Sequence, residues 1–255
     1  MSLDRSAAPR KTGDMCGRFA LVASSEEISQ FLDLQIKAAI PPLYNIAPTQ
    51  PINIAANFNG KRGAMLVRWG LIPGWVKDPD DFPTLINARS ETAATKPSFR
   101  TAMRHRRALI PVTGFYEWKR PPAGSKGKSQ AYLVRPRAGG IVALAGLWEN
   151  WMGPDGTEID TGCILTTAAN DAFAPIHDRL PVAIEPDNFD AWLNVQNSEP
   201  RDVQPLLTAP HDEFWEAVPI GDAVNKVANA TPDVQKRVEP KVQDPDQPPA
   251  QMDLL

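Results

Sequence analysis

The chain has 255 residues, with 27 Lys and Arg against 30 Asp and Glu (net charge −3) and two cysteines, Cys16 and Cys163. That length fits one large domain or two small ones. The near-balanced charge excludes a simple polycationic glue, two distant cysteines exclude a disulfide framework or a cysteine-built metal site, and no apolar run reaches the length of a membrane span. Such sparing use of cysteine suits a reducing cytoplasm.

Residues 1–14 lack the apolar core of a secretion signal. They read as a disordered extension ahead of a domain that spans residues 15–238. Residues 16–22 alternate as a strand. Ser24-x-x-Glu27 is a capping box, and Ile28, Phe31 and Leu32 follow at helical spacing, which predicts a helix from Ser25 to Leu34. Pro41, Pro42, Asn45 and Pro48 make the next stretch a loop. Apolar β-prone runs then recur at Ala64–Trp69, Ala108–Val112, Phe115–Trp118, Ala131–Val134, Ile141–Trp148 and Cys163–Thr167, punctuated by Pro and Gly. Pro121–Gln130 reads as a hairpin loop, and Asn188–Leu193 and Arg201–Leu207 as short helices. Strands in succession, without intervening long helices, predict an antiparallel, β-rich α+β domain. From Glu239 the composition is too polar and Pro-rich to bury a core, so 239–255 is a disordered tail.

Charge is unevenly spread. Lys96, Arg100, Arg104, Arg106, Arg107, Lys119, Arg120, Lys126 and Lys128 share their stretch with one acid, Glu117. A local basic field of this kind suits a polyanion; a solvated charged face is the plain alternative.

Met15-Cys16 carries unusual chemistry. If translation starts at Met15, removal of the initiator leaves Cys16 with an amine and a thiol on adjacent carbons. Such a 1,2-aminothiol attacks an aldehyde through nitrogen and closes through sulfur to a thiazolidine. With residues 1–15 attached, the nitrogen is an amide and the ring cannot form. The competing reading is an incidental cysteine near a chain end. Three further polar residues stand in apolar or turn contexts: Asn87 in Leu85–Thr92, Glu117 in Gly114-Phe115-Tyr116-Glu117-Trp118, and His177 in Ile176–Pro181. Each alone reads equally as structure: a turn former, a strand's solvent face, a satisfied core histidine. Together they supply what aldehyde capture needs. Aromatic neighbours that desolvate Glu117 raise its pKa toward acid/base use, an imidazole transfers protons near neutrality, and an amide orients an amine.

The segments Met15–Phe19, Tyr44-Asn45-Ile46-Ala47-Pro48, Trp69-Gly70-Leu71-Ile72-Pro73, Asn87–Thr92, Gly114–Trp118 and Ile176–Pro181 together resemble the SRAP family, the SOS response-associated peptidases or abasic-site processing proteins. The resemblance runs from Cys16 to about Val234. It implies a β-rich half-open barrel with short flanking helices, and binding of single-stranded DNA that carries an abasic site. It also implies a covalent thiazolidine crosslink through the N-terminal cysteine. On that pattern Cys16 is the nucleophile, Asn87 positions it, Glu117 is the acid/base group, and His177 assists ring opening and reversal. Arg18, Arg89 and Arg179 hold phosphates, and Trp69 takes the wedging or stacking position. A lyase side activity follows from the imine stage. No metal or cofactor is implied, and the location is the cytoplasm at the nucleoid.

One departure is that fourteen residues precede Met15. Either Met15 is the true start or the extension is removed, as the family's peptidase name suggests. Two other functions compete: a thiol peptidase pairing Cys16 with His177, and a non-catalytic reader of modified DNA. The chain ends in Gln251-Met252-Asp253-Leu254-Leu255, which looks like the short peptides that dock on the bacterial sliding clamp. On a flexible leash such a segment would raise local concentration. A monomer is expected.

Overall fold

The computed structural model describes residues 17–36, 39–121 and 127–241. Met15, Cys16, the extension 1–14 and the clamp-like segment Gln251–Leu255 lie outside the described residues. The chain forms β1 (Phe19–Leu21), α1 (Ser25–Leu32), β2 (Leu43–Ile46), β3 (Pro51–Phe58), β4 (Lys61–Trp69), β5 (Asn87–Arg89), α2 (Ser90–Ala93), α3 (Arg100–His105), β6 (Arg107–Val112) and β7 (Gly114–Lys119). Then follow β8 (Gln130–Pro136), β9 (Val142–Met152), β10 (Glu158–Ala168), β11 (Arg179–Pro181), β12 (Ala183–Ile184), α4 (Phe189–Leu193), α5 (Pro200–Val203) and β13 (Trp215–Ile220).

Local chemistry sets the first elements. The Ser24 side chain accepts from the Glu27 N–H, and the Glu27 carboxylate accepts from the Ser24 N–H at 2.7 Å, the reciprocal box read from sequence. The helix stops two residues before the predicted Leu34, because Asp33 turns left-handed at φ 48°. β3 and β4 form a hairpin across Asn59-Gly60, whose φ values of 53° and 84° are those a two-residue turn matching strand twist requires.

Strands β4, β3, β6, β9 and β10 follow one another around a ring. The ring closes where β10 pairs with β4, Thr161 opposite Arg68 and Gly162 opposite Trp69. That closing pair is parallel, whereas the other ring pairs are antiparallel as expected. Further along, β10 leaves β4 and pairs instead with β5, Ile164 opposite Asn87 and Thr166 opposite Arg89. The connection from Gly70 to Ile86 leaves the barrel at this fork. At Gly70, φ is 135° and a Cβ would stand 2.5 Å from Thr84 Cγ2, so the turn demands glycine.

A second sheet, ordered β13-β8-β7-β1-β2, covers the barrel beside the fork. Its inner face and the barrel share one core built from Phe19, Trp69, Leu109, Phe115, Ile164 and Leu165. The expected β-rich α+β barrel with short helices is therefore the observed fold. The reading from sequence did not include β2, β3, β5, β11, β12, β13, α2 or α3. The predicted helix Arg201–Leu207 is instead α5 followed by a 3-10 turn at Gln204–Leu206. Among the described residues, no helix is long and apolar enough to cross a membrane. Cys163 is the buried strand residue expected, and burial pushes its thiol pKa up.

Candidate functional site

The site forms where the two sheets meet at the fork. Phe19 of β1 lies edge-on to Trp69, with ring centroids 4.9 Å apart. In the sheet Phe19 stands opposite Phe115 of β7, and Phe115 meets Phe173 at 6.0 Å. These rings make an aromatic floor. The chain reaches it along β7, because the Tyr116 N–H donates to Arg18 O at 2.9 Å. Gly17, the first described residue, is buried there.

Each of the three sequence-predicted polar residues connects to one of these rings through its strand or turn. Strand alternation puts Glu117 on the same face of β7 as Phe115. Glu117 is only 4% exposed, opposite Tyr132 of β8. Tyr116 and Trp118 point to the other face, where Tyr116 Oη meets Gln235 and the Trp118 indole donates to Asn225. Asn87 is half-buried at the start of β5. Its preceding carbonyl, Ile86 O, accepts from the Trp69 indole at 3.0 Å, which ties Asn87 to the floor. His177 hangs from the turn that carries Phe173, its N–H donating to Phe173 O at 3.2 Å.

The imidazole of His177 is oriented by its own turn. Nδ1 accepts from the Arg179 backbone N–H at 3.1 Å, so in the neutral ring the proton sits on Nε2. Asp178 Oδ1 lies 3.0 Å from the same nitrogen, a contact that becomes an ion pair only when the ring is protonated. Burial lowers the His177 pKa below 6.5; Asp178 opposes this, while Arg120 and Arg179 add to the lowering. The unfolded chain therefore binds this proton at higher pH than the folded one. His177 contributes stability that is complete above pH 6.5 and lost as pH falls through its folded value. Urea melts from pH 5 to 8 are expected to show a shallower acid-side loss in His177→Gln than in the parent.

The arginines divide. Arg89 is exposed in β5. Arg179 makes a two-pronged pair with Glu91, Nη2 to Oε2 at 2.8 Å, and Nη2 also donates to Thr166 O at 2.6 Å. Its buried Nε has no partner among the described residues. Arg18 does not fit the phosphate-binding role expected of it. It is 2% exposed, and Nη1 donates to Asn45 Oδ1 and to Val224 O, each at 2.8 Å. Trp69 does not fit a stacking role either, since at 0% exposure with its indole bonded to Ile86 O no base reaches its faces.

The basic stretch is also narrower than it reads. Arg107 points inward and donates to Trp192 O, Met103 O and Ser198 O, with burial pulling its pKa down to about 10. Arg104 and Arg106 pair with Glu199 and Glu149. Lys96, Arg100, Arg120 and Lys128 remain exposed. Residues that sequence reasoning gave no role are Glu91, Thr166 and Asn45. Glu91 and Asn45 stand inside quoted motifs, but their partners come from distant parts of the chain. Among the described residues, no cluster of His, Cys, Asp and Glu is placed to hold a metal ion.

The profile of the SOS response associated peptidase (SRAP) family matches residues 15–227. The chain belongs to the SRAP family. It is similar to the abasic site processing protein YoqW of Bacillus subtilis, 36% identical over 225 residues that cover 86% of this chain and 98% of that one. It is also similar to the abasic site processing protein YedK of Escherichia coli, at 30% identity over 84% of this chain and 96% of that one. Among solved structures, a protein from Bacteroides thetaiotaomicron superposes with a TM-score of 0.78 at 24% identity, covering 88% of this chain and all of that one. That likeness speaks to the fold.

Proposed function

We propose that this SRAP protein captures the aldehyde of abasic sites in single-stranded DNA as a thiazolidine on Cys16. The observation that carries this reading is Glu117, a carboxylate 4% exposed on the face of β7 that fronts the aromatic floor, beside the strand that leads back to Gly17. Cys16 is covalently next to Gly17. The amine of Cys16 adds to the ring-opened sugar aldehyde and gives a carbinolamine. Glu117 takes a proton from the nitrogen and returns one to the hydroxyl, which leaves as water. The thiol then adds to the imine carbon and its proton passes to nitrogen, so one water is lost overall. Asn87 orients the amine. His177, with its proton on Nε2, donates to the sugar oxygens during ring opening. β-Elimination from the same imine cleaves the strand and is the source of a lyase side activity.

Arg89 and Arg179 take the flanking phosphates. With Trp69 buried, the stacking platform is Trp75, 58% exposed and braced edge-on by Phe82 at 5.4 Å. The two tryptophans therefore respond in opposite ways. Trp69→Ala costs about 3–5 kcal/mol of stability, as for a truncated core aromatic. Trp75→Ala leaves the melting temperature in place and weakens single-stranded DNA binding by about 1–3 kcal/mol. Thermal melts and fluorescence anisotropy separate these outcomes.

The Cys16–His177 peptidase reading has less support, because a neutral His177 with Nδ1 already accepting from Arg179 carries a proton on Nε2 and is a poor thiol base. A denaturing gel with an abasic oligonucleotide tests the proposal. Processed protein gives a shifted, heat-stable band and Cys16→Ala gives none while still binding the intact strand. A heat-stable shifted band from Cys16→Ala without reductant would refute it.

A further inference from the structure

Asn45 has no part in the chemistry above, yet it is buried and both ends of its amide are engaged. Oδ1 accepts from Arg18 Nη1 at 2.8 Å. Nδ2 reaches the carbonyls of Val224 at 3.2 Å, Lys226 at 3.1 Å and Asn229 at 2.8 Å. Arg18 Nη1 also donates to Val224 O. One amide thus knots three segments: the approach to β1, β2, and the C-terminal strap from Gly221 to Asn229. The strap is fastened in turn to the back of β7, where the Trp118 indole donates to Asn225 Oδ1 at 2.8 Å. Beyond the strap, Gln235 donates to Tyr116 Oη at 2.9 Å on the same face of β7. The strap therefore lies on the face of β7 opposite Glu117.

A nucleophile at a chain terminus faces a physical problem. The first residues of a chain fray unless tied down, and a loosely held reacting group forfeits the rate that fixed geometry supplies. Gly17 offers no side chain to hold. Arg18, two residues from Cys16, is the first side chain of the described chain that can be clamped, and Asn45 clamps it.

We propose that Asn45 is a positioning residue, locking Arg18 to the C-terminal strap and so fixing the backbone from which Cys16 reacts. The proposal rests on the abasic-site reading for its chemistry, but the anchoring itself is measurable without it. Three quantities are read in Asn45→Ala made as the full, processed protein. They are the single-turnover crosslinking rate at saturating abasic single-stranded DNA, the Kd for the undamaged strand, and the 15N relaxation of the Gly17 and Arg18 amides. The rate is expected to fall about 10- to 100-fold, with the Kd unchanged and both amides losing order. Asn150→Ala, which removes the Asn150–Asp160 hydrogen bond on the β9–β10 hairpin, controls for general destabilisation and should crosslink normally. An unchanged rate in Asn45→Ala, an equal loss in Asn150→Ala, or a rate and an affinity that fall together would overturn the positioning role. If Asn45→Ala does not fold, Asn45→Ser is held to the same criteria. If the parent protein forms no crosslink, the abasic-site reading fails by itself. Amides that stay ordered in the variant would then still refute the anchoring.

Discussion

Glu117→Gln is expected to slow crosslinking by about 10²- to 10⁴-fold at saturating DNA, the range for loss of a positioned proton-transfer group. Affinity for the undamaged strand should persist. The substitution keeps the shape of the side chain, and the β7 backbone remains in its ladder with β8. What disappears is a group that can take a proton from the amine and give one to the departing hydroxyl. Glu149 provides the comparison. It too is buried, and burial raises its pKa against the pull of Arg106, but it sits on β9, whose register runs against β6 and β10 in the barrel. Glu149→Gln should crosslink at the parent rate. Equal effects at the two positions would mean that Glu117 acts through stability and not through proton transfer.

The largest effect is expected at Cys16, where amine and thiol are separable. Acetylating the nitrogen, or retaining residues 1–15, should abolish crosslinking entirely, since an amide nitrogen forms no imine. Cys16→Ser keeps the amine and loses the sulfur that closes the ring. It should give adducts that borohydride traps but heat reverses. Cys16→Ala should behave alike, while the parent adduct should survive heat without reductant. A stable, unreduced adduct from Cys16→Ser would remove the thiazolidine from the account and leave a simple imine.

Legibility in the sequence followed the distance between partners. The capping box Ser24–Glu27 involves residues three apart, and it reads correctly. Asn59-Gly60 is an equally local hairpin signal, and with it β3 was within reach. Trp69 and Trp75 are six residues apart, and nothing local says which is buried. That is decided by Gly162 of β10 closing the ring against Trp69 and by Ile86 O accepting its indole. Arg18 resembles a phosphate ligand until Val224, 206 residues away, accepts from it. Arg107 belongs to a basic run in sequence but points into the core, where three main-chain carbonyls replace water. By contrast, Asn87, Glu117 and His177 stand out in the sequence because each is a polar residue with no local structural need in an apolar or turn context. What the sequence could not supply is the aromatic floor of Phe19, Trp69, Phe115 and Phe173.

The central claim is that the nitrogen of Cys16 is a free amine in the working protein and condenses with an abasic aldehyde. Intact-mass measurement of the protein from its native host, before and after reaction with an abasic single strand, tests it directly. The account predicts a chain beginning at Cys16 and an adduct equal to protein plus DNA less one water. An adduct formed by protein that still carries residues 1–15 would contradict it.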